Sequence, residues 1–472
     1  MRWRVAGSIP VAILLALGLF VPSASAKGPS GGGSKTGGGD VRSKPFAFTP
    51  TELTSYPFAE PSIEVFDNYH VIFCGPGGDS GNYFGRTADW KNFSLISITD
   101  PVIGGGDCDI KIGPTGILYE ADLQLFGSAL RRSFDEGQTW GTADYYEEPI
   151  EEDRQWLAPD PHNSKVVYFV YHDLTLEAEV MAKSLDGGVT YPIHSIVSTD
   201  PALGTDTFPN TFSGPIVVDP SDSSRVYVAY GISNLERNLD PAFAPFGLPL
   251  QVVVGVSDDG GLTWTDHVAM TSSGDSVLGN LFPWITVDQA GNVYTGAAGH
   301  IVNADGSAKN GMFIASSTDH GTTWTDPIHV GTSTAGAGVF PTVAAGKAGV
   351  LDVAWIQSDR EDFNDPASVW SVRFAQSRNA TSPAPTFTET VGPIVRHGAV
   401  CVLGIVCDGN RNLLDFLGLE LDAFGYAHIA VASTEGSSDG SPHVLYWRQD
   451  AGPSATSEPC QPTCIKARPG PA

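Results

Sequence analysis

Positive charge is scarce in this chain: 26 lysines and arginines stand against 53 aspartates and glutamates, a formal net charge of −27 over 472 residues. A surface of that sign repels phosphate backbones and anionic headgroups, so nucleic acid and membrane surfaces are excluded as expected partners. Long apolar runs are also missing. The longest, from Val11 to Val21, falls short of the roughly 20 residues that a spanning helix needs, so no membrane span is expected. Cysteine is sparse, with 6 residues, and their spacings fit no zinc template. The sequence has no G-x-S-x-G, H-E-x-x-H or phosphate loop, which removes the nucleophile-elbow hydrolases, zincins and P-loop enzymes.

What is present begins with a leader. Arg2 and Arg4 precede the apolar run, and Ala24-Ser25-Ala26 follows it, the layout of a secretory signal over residues 1–26 with cleavage after Ala26. The protein is therefore expected to be secreted. Residues 27–56, opening with "KGPSGGGSKTGGGD", read as a Gly/Ser-rich linker, with folded structure starting near Pro57 and running to Asp450. Residues 451–472 read as a tail containing cysteine and proline. An oxidising compartment permits disulfides. Six cysteines allow 15 pairings, and proximity favours Cys401 with Cys407, Cys460 with Cys464, and the remaining Cys74 with Cys108.

Hydrophobic residues make up 41% of the chain, enough for a large core, while 54 glycines and 34 prolines imply many turns. Four octapeptides repeat one pattern, S-x-D-x-G-x-T-[WY]: "SFDEGQTW", "SLDGGVTY", "SDDGGLTW" and "STDHGTTW". Their aspartates, Asp135, Asp186, Asp259 and Asp319, are 51, 73 and 60 residues apart. Asp and Gly suit a tight turn and the aromatic supplies an apolar face, so these aspartates are expected to be structural. Between the octapeptides, pairs of short Val/Ile/Tyr-rich segments flank Gly/Asp/Pro turns, as in "PIVVDPSDSSRVYVAYGI", the pattern of antiparallel hairpins. Seven such modules are expected to form an all-β propeller of four-stranded antiparallel blades, with six blades as the alternative. The last module ends in a single strand, "HVLYWRQDAG", so a strand near the N-terminus is expected to complete it.

The octapeptides resemble the Asp-box (bacterial neuraminidase) repeats of the sialidase-like superfamily, and the resemblance spans about Pro57 to Asp450. It implies a propeller with its Asp boxes in outer hairpins, remote from the ligand face. Catalysis by that family uses a tyrosine nucleophile and three arginines, the first in an R-I-P motif. This sequence has no R-I-P, and "AEPSIEV" places Glu60 where that cation is required. A true exo-sialidase is therefore not the leading expectation.

Ligands of propellers meet the channel mouth. Aligning the modules on the turn after each first strand and stepping six residues upstream gives Glu60, Asp107, Arg154, Ser213, Phe282, Phe340 and Phe416. One sector is polar, and its carboxyls Glu60, Asp107, Asp109, Asp153 and Asp415 are the candidate catalytic groups, since glycoside hydrolysis needs one protonated and one ionised carboxyl. Arg154, Trp156, Phe282, Trp284, Phe340 and Arg411 are the candidate ligand-binding groups, because sugars stack on rings and offer hydroxyls to charged side chains. The expected partner is an extracellular glycan or other polar ligand. A protein partner held by a loop carrying Phe243 and Phe246 is the competing expectation. No cofactor is expected, with Ca²⁺ at "GGGDCD" or "EEPIEED" as the alternative.

Overall fold

The computed structural model of the chain describes residues 45–66, 69–77, 81–98, 104–124, 127–147, 152–176, 178–199, 211–232, 251–272, 276–278, 282–303, 305–402 and 407–456. The expected leader, the Cys460 and Cys464 pair and the loop of Phe243 and Phe246 lie outside these residues. Cys74–Cys108 and Cys401–Cys407 are disulfides.

The described strands form seven antiparallel sheets, each built around four strands and together making a seven-bladed propeller. The inner strands are Ser62–Val65, Gly104–Ile112, Glu152–Pro159, Thr211–Asp219, Trp284–Val287, Gly338–Ala345 and Gly418–Leu421, in blades 1 to 7. Burial follows from position in the blade. The second strand of blade 3, Val167–Asp173, is buried at every residue because neighbouring blades cover both its faces. The outer strand of the same blade, Ile193–Ile196, alternates between half-buried and exposed, as a sheet edge with one wet face does.

Blade 7 takes its outer strand from the other end of the chain. Ala47–Leu53 runs antiparallel to His443–Ala451, from Ala47 opposite Ala451 to Leu53 opposite Val444. Phe48 stacks on Trp447 with ring centroids 4.3 Å apart. The linker read over residues 27–56 therefore ends earlier, since seven of its residues belong to the propeller. This is the N-terminal strand expected to complete the last module, and its exposed, proline-containing sequence AFTPTEL suits an edge strand paired on one side only. Beside this blade the packing is tight: a Cβ on Gly418 would lie 2.6 Å from the Pro61 carbonyl oxygen of blade 1.

The four octapeptides connect the third and fourth strands of blades 2 to 5 and share one set of bonds. In "SDDGGLTW" the Asp259 carboxylate accepts from the Ser257 hydroxyl at 2.8 Å, the Thr263 N–H at 2.9 Å and the Thr263 hydroxyl at 2.7 Å. Gly260 and Gly261 take left-handed φ of 70° and 84°, which a Cβ would resist. The aromatic residue then reaches back to the preceding blade: Trp264 Nε1 donates to Ser195 Oγ at 2.9 Å, and Trp140 packs on Phe84 of blade 1 at 4.7 Å. The repeat is thus a turn plus an inter-blade clip. Asp259→Ala is expected to cost about 1–2 kcal/mol of stability, because its backbone donors retain access to water; chemical unfolding of the variant checks this.

Candidate active site at the channel mouth

Antiparallel connectivity places the starts of the inner strands on one face and the octapeptide turns on the other. At the first face the backbone is bulged at equivalent positions. Glu60, Arg154 and Phe340 all take left-handed φ, of 49°, 48° and 56°, and the strand register shifts around Arg154 and around Phe340. A non-glycine residue in that region costs roughly 1–3 kcal/mol, so the packing around these positions must hold each one against its own preference. The consequence is that side chains which alternation would send between blades are turned to new directions.

A braced loop supplies the blade 7 groups. The Arg396 guanidinium donates to the Ala399 carbonyl at 2.7 Å, to Asn412 Oδ1 at 3.2 Å and to Asn410 Oδ1 at 3.0 Å. The Cys401–Cys407 bridge lies in the same loop. This fixes the segment that carries Arg411 and Asp415, which form an ion pair.

Four carboxyl groups from blades 1, 2, 3 and 7 meet around two arginines. Glu60 is buried, and burial followed by the nearby charges of Asp107 and Asp415 holds its carboxyl well above the usual range. Burial also raises Asp415, against the pull of Arg411. Asp153 meets the solvent of the mouth, yet crowding by surrounding protein, then the charges of Asp107 and Asp415, push it up to about 7. The cluster thus contains carboxyls that keep a proton near neutral pH beside two guanidinium groups, those of Arg154 and Arg411. That division is what general acid catalysis needs.

Arg154 sits beneath this cluster. It is 1% exposed, and its Cζ lies 3.7 Å from the Trp156 ring centroid and 4.2 Å from that of Phe416. None of its guanidinium nitrogens has a hydrogen-bond partner, and Asp107 Oδ2 stands at 3.9 Å. Ring stacking returns about 2 kcal/mol to a desolvated cation, less than the several kcal/mol lost on leaving water. Trp156 of blade 3 meets Trp284 of blade 5 at 5.0 Å and Phe416 of blade 7 at 5.5 Å. Blades so far apart in the ring touch only across its axis, so these rings floor the mouth and close the channel at mid-depth.

The other residues expected at the site are placed differently. Asp109 accepts from the Ser62 hydroxyl and from the Leu157 N–H, both at 2.8 Å, and so ties three neighbouring inner strands together instead of joining the carboxyl cluster. Phe340 is 1% exposed and packs in the core between blades 6 and 7. Trp156 is 2% exposed and Phe282 is 9% exposed, which makes them the floor of the site rather than open stacking platforms. Trp284 is half-buried. Among the described residues no group of three His, Cys, Asp or Glu side chains is arranged to hold a metal ion.

The sequence reading missed a second layer in blade 2. Arg131 donates to Glu120 at 2.8 Å across the strand pair, Asn82 donates to Glu120 at 3.0 Å, and Asp122 lies 3.5 Å from Arg131. Burial raises the Asp122 carboxyl well above its usual range, and the charge of Asp107 adds to this. The signal was in "LYEADLQ", where two acids alternate inside an otherwise buried strand.

Neither a protein-family model nor a curated protein sequence matches this chain. Among solved structures, the chain is similar to an ulvan lyase, a polysaccharide lyase bound to -[GlcA(1-4)Rha3S]-, with a TM-score of 0.50 at 11% identity, covering 87% of this chain and 97% of that one. An alpha-l-arabinofuranosidase of Fusarium graminearum in complex with an iminosugar inhibitor gives 0.43 at 10% identity, covering 86% and 97%. The alpha-L-arabinanase of Penicillium chrysogenum complexed with arabinobiose gives 0.42 at 12%, covering 66% and 93%. At these identities the likeness to the lyase speaks for a common fold.

Proposed function

We propose that the channel mouth binds a glycan and cleaves it by carboxyl acid–base chemistry, outside the cell. The observation that carries this reading is the convergence of Glu60, Asp107, Asp153 and Asp415 from four blades around Arg154 and Arg411, with Glu60 and Asp153 raised toward the protonated form. Asp153, open to the mouth, is the group to donate a proton to a leaving oxygen. Arg154 and Arg411 offer N–H donors that suit hydroxyl or carboxylate oxygens. That a solved structure of similar fold is named a polysaccharide lyase supports the same substrate class. The two disulfides fit an oxidising compartment, in keeping with the leader-like N-terminus. Sialosides are not the favoured substrate, because the acidic Glu60 stands where a carboxylate-gripping arginine is required.

The test is incubation of the purified protein with a panel of polysaccharides and aryl glycosides, following new reducing ends and unsaturated products separately. Reducing ends without unsaturation support hydrolysis. Unsaturated products would replace it with elimination at the same site. Silence across the panel, together with no retention on a glycan array, would overturn the reading.

A further inference from the structure

The channel has a second end. Beyond the layer of Trp156, Trp284 and Phe416, the ends of all seven inner strands enclose a cavity of about 400 Å³ on the octapeptide face. Its walls differ in chemistry. Blades 7, 1 and 2 contribute Glu420, Glu64 and Lys111, while blades 4, 5 and 6 on the far side contribute Val217, Trp284 and Val343.

The polar wall is short of positive charge. Lys111 Nζ lies 2.7 Å from Glu64 Oε1, and the other oxygen of Glu64 accepts from the Ile112 N–H at 3.1 Å. Asp109 is bonded to neutral donors, Ser62 and Leu157. Glu420 accepts from its neighbour's N–H, that of Leu421, at 3.0 Å. Lys111 therefore faces three carboxyl groups and is bonded to Glu64; of the other two, Asp109 is held by neutral donors on neighbouring strands, and Glu420 has only the Leu421 N–H. A second ammonium would give Glu420 a cation, and its carrier would lie against valine and tryptophan.

We propose that this cavity binds a small organic amine, with its ammonium between Glu420 and Glu64 and its apolar body against Val217, Trp284 and Val343. The site is separate from the mouth and does not depend on the reading given for it. Proton linkage follows. Burial, then the charge of Glu64, push Glu420 up to about 7, with Lys111 opposing. His428 stands opposite Glu420 in the sheet register, but its ring is engaged by Tyr446 and Asp422. An ammonium prefers ionised Glu420, so affinity is expected to fall about ten-fold between pH 8 and pH 6.

Calorimetric titration of the whole chain with phenethylamine, 2-phenylethanol and 3-phenylpropionate tests this. The amine is expected to saturate one site at pH 8 at least ten-fold more tightly than the alcohol, to weaken about ten-fold at pH 6, and to lose its advantage in Glu420→Gln. Glu60→Gln, at the mouth, is expected to leave amine binding unchanged. Absence of saturable amine binding, equal binding of the three probes, or an unchanged amine affinity in Glu420→Gln would overturn the proposal. Should that variant fail to fold, the comparison of probes and pH values on the parent protein decides alone.

Discussion

Asp153→Asn is expected to lower glycan cleavage by about 10²–10⁴-fold, the usual worth of a positioned general acid, while leaving thermal stability near that of the parent. Asp153 meets solvent at the mouth, so replacing it by its amide disturbs little packing. The pH profile carries the sharper information. With the Asp153 carboxyl pushed up to about 7, activity should decline as pH rises through that value, and the decline should vanish in the residual activity of the variant. Glu60→Gln is expected to lower cleavage as well, because it removes the buried carboxyl that stands beside Asp107 and Asp415 in the cluster. Asp109→Asn is the contrast, since its carboxylate bridges Ser62 and Leu157. It should lower stability more than the rate constant for cleavage. Full activity in Asp153→Asn would remove this residue from the mechanism.

The second large effect is in stability against pH. Asp352, in the second strand of blade 6, is fully buried. Gln376 donates to one of its oxygens at 2.7 Å, the other has no partner, and burial pushes the carboxyl up to about 8. Glu152 is likewise pushed up to about 8 by burial. For a carboxyl raised in the folded state, the unfolded chain releases its proton first. The contribution to stability is therefore complete below the ordinary carboxyl range and is lost as pH rises through about 8. Since each pKa unit is worth about 1.4 kcal/mol, Asp352 alone represents on the order of 6 kcal/mol between the ordinary carboxyl range and pH 8. The urea midpoint is expected to be higher at pH 5 than at pH 9, and Asp352→Asn should raise it at pH 9 while changing it little at pH 4. Equal effects at both pH values would contradict the assignment.

The blades and the mouth were legible in the sequence for one physical reason. The octapeptides recur in four of the seven modules and a turn follows the first strand in all of them, so counting back from that turn reaches the same depth of channel in every blade. Residues such as Glu60 and Arg154 were found this way, and their common left-handed backbone shows that the positions are structurally equivalent. Burial was not legible. A period of two says which side chains share a face of a strand. It does not say whether that face meets the channel, a neighbouring blade or, at a bulge, something else. Trp156 and Phe340 therefore read as open platforms although one floors the mouth and the other lies in the core. The unbalanced wall of Glu64, Lys111 and Glu420 was hidden because its members come from three blades and no local pattern joins them.

The pairing of Ala47–Leu53 with His443–Ala451 makes the ring a circle whose seam is arbitrary. A chain rejoined there through a short bridge and reopened between two other blades would contain the same sheets and the same clips, so circular permutants should fold. A nascent chain that stops before His443 has the opposite fate. It leaves Ala47–Leu53 without its partner and blade 7 unfinished, so the strand His443–Ala451 acts as the latch that separates a closed ring from an open one.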